Sequence, residues 1–120
     1  MIIAVDFDGV LVTDEFPDIG KEDHEMSSVI RNLTKTPGVE VILWTSRTAG
    51  PLLAAIEWCL ERGIQFDAIN DNAPSNKAKY EKEFPNGTRK VYADVYVDDH
   101  NLEFNRGKAI NLLKRYIRKG

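Results

Sequence analysis

The chain has 120 residues and a formal net charge of −3, with 42% hydrophobic and 29% charged residues. That is one compact domain with a real core, with no apolar run near the roughly 20 residues a membrane helix needs and an overall charge that disfavours nonspecific nucleic-acid binding. A lone cysteine, Cys59, cannot close an internal disulfide, so a reducing cytoplasm is the expected location; Asp6 and Asp8, without a basic leader, do not read as a signal peptide.

In chain order, "IIAVDF" is a short apolar run of the kind found in a parallel strand buried on both faces. Residues 10–21 are irregular, broken by Pro17 and Gly20. "DHEMSSVIRNLTK" predicts a helix with Met26, Val29, Ile30 and Leu33 on one stripe, stopped by Pro37-Gly38. "VEVILWT" is a second strand. "GPLLAAIEWCLERG" predicts a helix with Pro51 at its first position, Gly63 past its end, and Leu53, Ile56 and Leu60 inward. "FDAIN" is a third strand, and a short helix is expected around "NKAKYEKEF". "VYADVYVDD" is the fourth strand. "AINLLKRYIRK" closes the chain as a helix with Ile110, Leu113 and Ile117 inward. The basic residues from Arg106 onward suit a solvated helix face near the negative end of its dipole, or else an anionic partner.

This alternation defines an α/β fold: a three-layer, Rossmann-like arrangement with a parallel central sheet and right-handed crossovers, as a single domain over 1–120. Ligands in such folds bind beyond the carboxyl ends of the strands. Here those ends carry Asp6 and Asp8, then Thr45-Ser46-Arg47, then Asn70-Asp71-Asn72, then Asp98-Asp99. Carboxylates crowded at one sheet edge repel unless a cation neutralises them, and oxygen-only ligands point to a hard cation, most simply Mg²⁺. Magnesium beside an exposed carboxylate suggests phosphoryl chemistry. Gly9 lets the chain turn sharply without crowding a bound phosphate. Arg47 either binds substrate or braces the loop against an acidic neighbour. Asn70 and Asn72 either line the pocket or serve turns. Trp44 and Trp58 read as core, and His24, His100 and Cys59 make a poor zinc set.

"DFDGV" after an apolar strand, "ILWTSR" and "VYVDD", in that order, resemble the motifs of the haloacid dehalogenase-like phosphohydrolases. "FPDIGK", "FDAIN" and "RKVYADVYVDD" are similar to small bacterial and phage members. The resemblance implies that Asp6 is a nucleophile forming an aspartyl-phosphate and also a metal ligand. It implies that Asp8 is the general acid and then the base, its backbone carbonyl binding the metal. Thr45 would hydrogen-bond the phosphoryl group, with Ser46 accessory. Asp99 would bind Mg²⁺ directly and Asp98 through a water. The lysine that neutralises the phosphoryl charge has no fixed spacing in the family; Lys90 is preferred, with Lys77 and Lys79 as alternatives.

Larger relatives carry a cap domain, for which neither usual insertion point has room here, so a capless hydrolase with an open site is expected. Oligomerisation would be one way to cover it. The loop 10–21 is the candidate lid, and its acids (Asp14, Glu15, Asp18) favour a small phosphorylated metabolite or nucleotide over a nucleic-acid end or phosphoprotein. Two other classes compete. A phospho-receiver domain places its adjacent acidic pair near the first strand, and the chain order here is the reverse. A non-catalytic phosphate-binding or regulatory domain of the same fold stays open.

Overall fold

The computed structural model describes residues 1–80, 90–101 and 104–119. Its elements run β1 (Ile2–Val5), α1 (His24–Thr34), β2 (Glu40–Leu43), α2 (Ala49–Glu61), β3 (Ala68–Ile69), α3 (Pro74–Tyr80), β4 (Val95–Val97) and α4 (Arg106–Lys119). The strands form one sheet in the order β3-β2-β1-β4, every pairing parallel. The chain steps outward from β1 to β3, then returns to the other side of β1. That reversal opens a crevice beyond the carboxyl ends of β1 and β4.

Side-chain alternation sorts the core into two layers. Ile3, Val5, Val41, Leu43 and Val97 face α1, α2 and α4, where they meet Met26, Val29, Ile30, Leu33, Ala55, Trp58, Cys59, Ile110 and Leu113. Ile2, Ala4 and Ile42 point to the opposite face, covered by Ala73, Val91 and Ala93 with Trp44, Ala68 and Tyr96 beside them. The three-layer α/β fold is therefore lopsided, with three helices on one face and, on the other, Ala73 just ahead of α3 together with Val91 and Ala93. The apolar run of β1 is explained by this arrangement, since all four of its residues are buried. At the amino edge two carboxylates cap strand starts. Asp67 Oδ2 accepts the Val41 N–H at 2.7 Å, and Asp94 Oδ2 accepts the Ile2 N–H at 2.7 Å.

The stripe expected for α1 is the one buried, with Asp23 as N-cap accepting the Met26 N–H. The basic start of α4 packs there too. Arg106 forks onto Asp23 and reaches Glu25, and Lys114 Nζ lies 3.9 Å from Glu25, so part of the basic face is matched by acids of α1.

Four expectations are corrected. In α2, Leu53 and Leu60 are exposed, whereas Ala55, Trp58 and Cys59 are buried. This helix is apolar almost all round, so periodicity does not fix its phase; the edge contact of Trp58 on Phe7, at 5.5 Å between centroids, does. Pro51 stands at the third helical residue, not the first, still among the N-terminal positions whose N–H lacks an intrahelical partner. The fourth strand is shorter than "VYADVYVDD". Over residues 91–93, side chains satisfy the backbone instead of a neighbouring strand: the Tyr96 hydroxyl donates to Val91 O and accepts from Ala93 N–H, and Asn72 Oδ1 accepts the Tyr92 N–H. Helix α4 also begins earlier than its apolar pattern, because Asn105 Oδ1 accepts the Lys108 N–H as a cap. The expected helix around "NKAKYEKEF" is found as α3 up to Tyr80, and its remaining positions lie outside the described residues.

Candidate active site

The crevice is lined by the residues that come directly after β1 and β4. The Asp6 N–H donates to Val97 O at 2.9 Å, which carries the parallel pairing one residue past both strands and sets Asp6 beside Asp98. One carboxylate oxygen from each of Asp6, Asp98 and Asp99 lies within 4.8 Å of the others. Asp6 Oδ1 accepts the Phe7 N–H and Asp98 Oδ1 accepts the His100 N–H, each at 2.8 Å. Asp99 Oδ1 is buried and has no hydrogen-bond partner among the described residues; the exposed His100 ring nitrogen lies 3.6 Å away, beyond hydrogen-bond reach. Burial, and then the charges of Asp98, Asp99 and Asp8, push the Asp6 carboxyl up to about 7 against the pull of the Phe7 N–H. A buried carboxylate oxygen without a donor, among three like charges, is the electrostatic situation a bound cation relieves. The all-oxygen donor set fits a hard divalent ion.

Gly9 is part of this geometry. Its φ is +85°, and a Cβ there would lie 2.5 Å from Asp99 Cγ and 2.8 Å from Asp99 Oδ1. The absent side chain thus makes room first for the Asp99 carboxylate, not for a phosphate as the sequence suggested. Gly9→Ala is expected to cost roughly 2–4 kcal/mol, from the left-handed backbone and the overpacking together. It should also displace Asp99; a chemical-denaturation midpoint equal to wild type would contradict this.

The tip of β2 supplies the next residues. Trp44 N–H continues the pairing onto Val5 O at 2.8 Å, so Thr45 leaves the sheet beside the β1 tip. Thr45 N–H donates to Asn70 Oδ1 at 2.8 Å, and Thr45 Oγ1 accepts the Arg47 N–H at 3.1 Å. An accepting hydroxyl keeps its own O–H to donate, and no acceptor for it is found among the described residues. Ser46 is exposed next to it.

For Arg47 the sequence left two roles open, substrate binding or bracing the loop against an acidic neighbour, and the structure decides between them. Arg47 is 1% exposed. Nε and Nη2 fork onto Asp8 Oδ2 and Oδ1 at 2.8 and 2.7 Å; Nη2 also donates to Asp18 O, and Nη1 to Pro17 O and Pro51 O. All five guanidinium N–H groups are thereby used, so none remains for a substrate in this arrangement. The bracing alternative is the one realised, and the Asp8 carboxylate raises the Arg47 pKa further above its usual value. Asp8 consequently points its carboxylate into the fork and lies outside the three-carboxylate group. Any metal contact from Asp8 falls to its backbone carbonyl.

Of the three lysines, Lys77 is ion-paired with Asp71 past the tip of β3, Lys79 lies over the Tyr80 ring at 5.3 Å, and Lys90 lies over the Tyr96 ring at 5.3 Å. Two contributors carried little signal in the sequence. Asn70 has φ +51° and reaches from β3 to hold the Thr45 turn, and Asn72 ties the same segment to Tyr92. An asparagine at a strand end, able to enter left-handed φ, was the available clue.

These features define an α/β protein with a parallel sheet and an acidic cluster at its switch point. No protein-family model and no curated protein matches the chain. Among solved structures, the conserved protein coded by a locus of Bacteroides thetaiotaomicron is similar: 34% identical, with a TM-score of 0.78, over 96% of this chain and 90% of that one. The chain belongs to the same family as that conserved protein. No helix among the described residues is long and apolar enough to cross a membrane.

Proposed function

We propose that the protein is a Mg²⁺-dependent phosphomonoester hydrolase of the haloacid dehalogenase-like type, acting through an aspartyl-phosphate on a small phosphorylated metabolite or nucleotide. The observation that carries the reading is the Asp6–Asp98–Asp99 group, in which a partly buried carboxylate stands at the open tip of β1 and a buried Asp99 oxygen has no donor among the described residues. Asp6, Asp98 and Asp99 would hold Mg²⁺, which when bound supplies positive charge against the substrate phosphate and keeps Asp6 ionised.

An Asp6 oxygen attacks phosphorus and the bond to the leaving oxygen breaks, with Asp8 giving that oxygen a proton. Asp8 then takes a proton from water, the water oxygen attacks phosphorus, and the Asp6–phosphorus bond breaks to release phosphate. The Thr45 hydroxyl donates to the transferring phosphoryl group. Lys90, with Lys77 and Lys79 as alternatives, offsets its charge. A small substrate suits the exposed acids Asp14 and Asp18, whose charges reach Arg47 and would repel a polyanion. Cys59 is buried, its thiol pushed up to about 12 by that burial, which fits an inert core thiol in a reducing cytoplasm.

One observation favours a second reading, a phosphate-binding domain without turnover: both Asp8 oxygens are occupied by Arg47. Incubation with 4-nitrophenyl phosphate decides between them. Hydrolysis that requires Mg²⁺ and stops with excess chelator is expected. Phosphate binding with no turnover would select the second reading, and turnover unaffected by chelator would remove the metal.

A further inference from the structure

Arg47 joins three parts of the chain. Its fork holds Asp8, at the site. Its remaining N–H groups hold the carbonyls of Pro17 and Asp18, in the loop tip, and of Pro51, in the first turn of α2. The guanidinium lies over two rings, the buried Phe7 at 5.0 Å and the loop residue Phe16 at 5.3 Å; Phe16 itself is 58% exposed. The loop tip is held at its base by backbone bonds from Thr13 N–H to Lys21 O and from Asp23 N–H to Leu11 O. Residues 13–18 are otherwise exposed.

We infer that Arg47 is a positioning residue for Asp8: one buried guanidinium fixes the carboxylate that moves the proton and couples its orientation to the loop tip carrying Phe16, Pro17 and Asp18. The inference rests on the phosphatase reading. A planar fork is needed because two carboxylate oxygens and three carbonyls must be met at once, which an ammonium on a flexible stem cannot do. The carboxylate leaves the fork only when the five-fold arrangement is disturbed. A ligand that shifts the loop tip therefore changes where Asp8 points.

The test separates positioning from plain structural support by the leaving group. The value of kcat/KM reports phosphoryl transfer to Asp6, where a poor leaving group needs a proton and a good one needs it less. Arg47→Lys is expected to lower kcat/KM about 100-fold on glycerol phosphate and under about 10-fold on 4-nitrophenyl phosphate. In an Asp8→Asn background the same substitution should change neither value more than about 3-fold, because the two residues act as one unit. Amide hydrogen exchange over residues 14–19 should accelerate in Arg47→Lys.

Equal loss on both esters, or losses that multiply in the double variant, would overturn the inference while leaving the phosphatase reading intact. Should Arg47→Lys not fold, Phe16→Ala keeps the fork and removes only the outer ring. The same leaving-group selectivity is then expected at smaller size, and its absence overturns the proposal. A wild type without Mg²⁺-dependent turnover removes the phosphatase reading and the inference with it.

Discussion

Asp6→Asn should reduce Mg²⁺-dependent hydrolysis of 4-nitrophenyl phosphate by roughly 10⁴-fold or more, the loss typical of deleting a covalent nucleophile. The substitution is nearly isosteric, so the fold gives no reason for collapse. The Asp6 N–H to Val97 O bond is backbone and survives, and an amide oxygen still accepts the Phe7 N–H. What changes is the reacting atom and the charge. An amide cannot form the acyl phosphate, and one of the three carboxylates within 4.8 Å is neutralised. If Asp6 served only as a metal ligand, the loss would be smaller and raised Mg²⁺ would restore part of it. Turnover above about one per cent of wild type at saturating Mg²⁺ would remove Asp6 as the nucleophile. A variant that retains binding of inorganic phosphate while losing turnover separates the chemical role from a damaged pocket.

How much of this was legible in the sequence depended on whether the determining interaction was local. The strand tips were readable because a short apolar run followed by polar residues is a local pattern, and the parallel order then brings Asp6 and Asp98-Asp99 together through adjacent strands. The buried stripe of α1 was readable because its apolar positions recur at helical spacing against a polar background. The phase of α2 was not, since nearly every side of that helix is apolar and only the Phe7–Trp58 contact selects one. Arg47 was ambiguous for a similar reason. Nothing within a few residues of it announces that Asp8, 39 positions away, meets its fork, or that carbonyls of two other segments complete its hydrogen bonding. Gly9 was identified correctly as a place where a side chain is excluded, but the excluding group, Asp99, sits 90 residues further on.

The acidic cluster also makes a prediction about stability. In the unfolded chain Asp6 ionises near its ordinary value of 3.8, whereas in the fold it keeps its proton to about 7. Between those values the folded state binds more protons, so raising the pH draws the metal-free equilibrium toward the unfolded chain. The Asp6 contribution is fully present below 3.8 and is lost as the pH climbs through about 7. Metal-free Asp6→Asn, which has no such group, should therefore gain stability relative to wild type as the pH rises from 5 to 8. Allowing for solvent screening of a partly exposed site, that gain is on the order of 1–2 kcal/mol, or several degrees in Tm for a chain of this size. Mg²⁺ should reverse the trend. It competes with the proton for the same oxygens, so it stabilises wild type strongly at pH 8, weakly at pH 5, and Asp6→Asn little at either. Thermal unfolding of both proteins at the two pH values, with and without Mg²⁺, reads all of these effects. A gap between the two proteins that does not change with pH would show that Asp6 is not the group held protonated. Equal stabilisation of both by Mg²⁺ would place the ion away from the tip of β1.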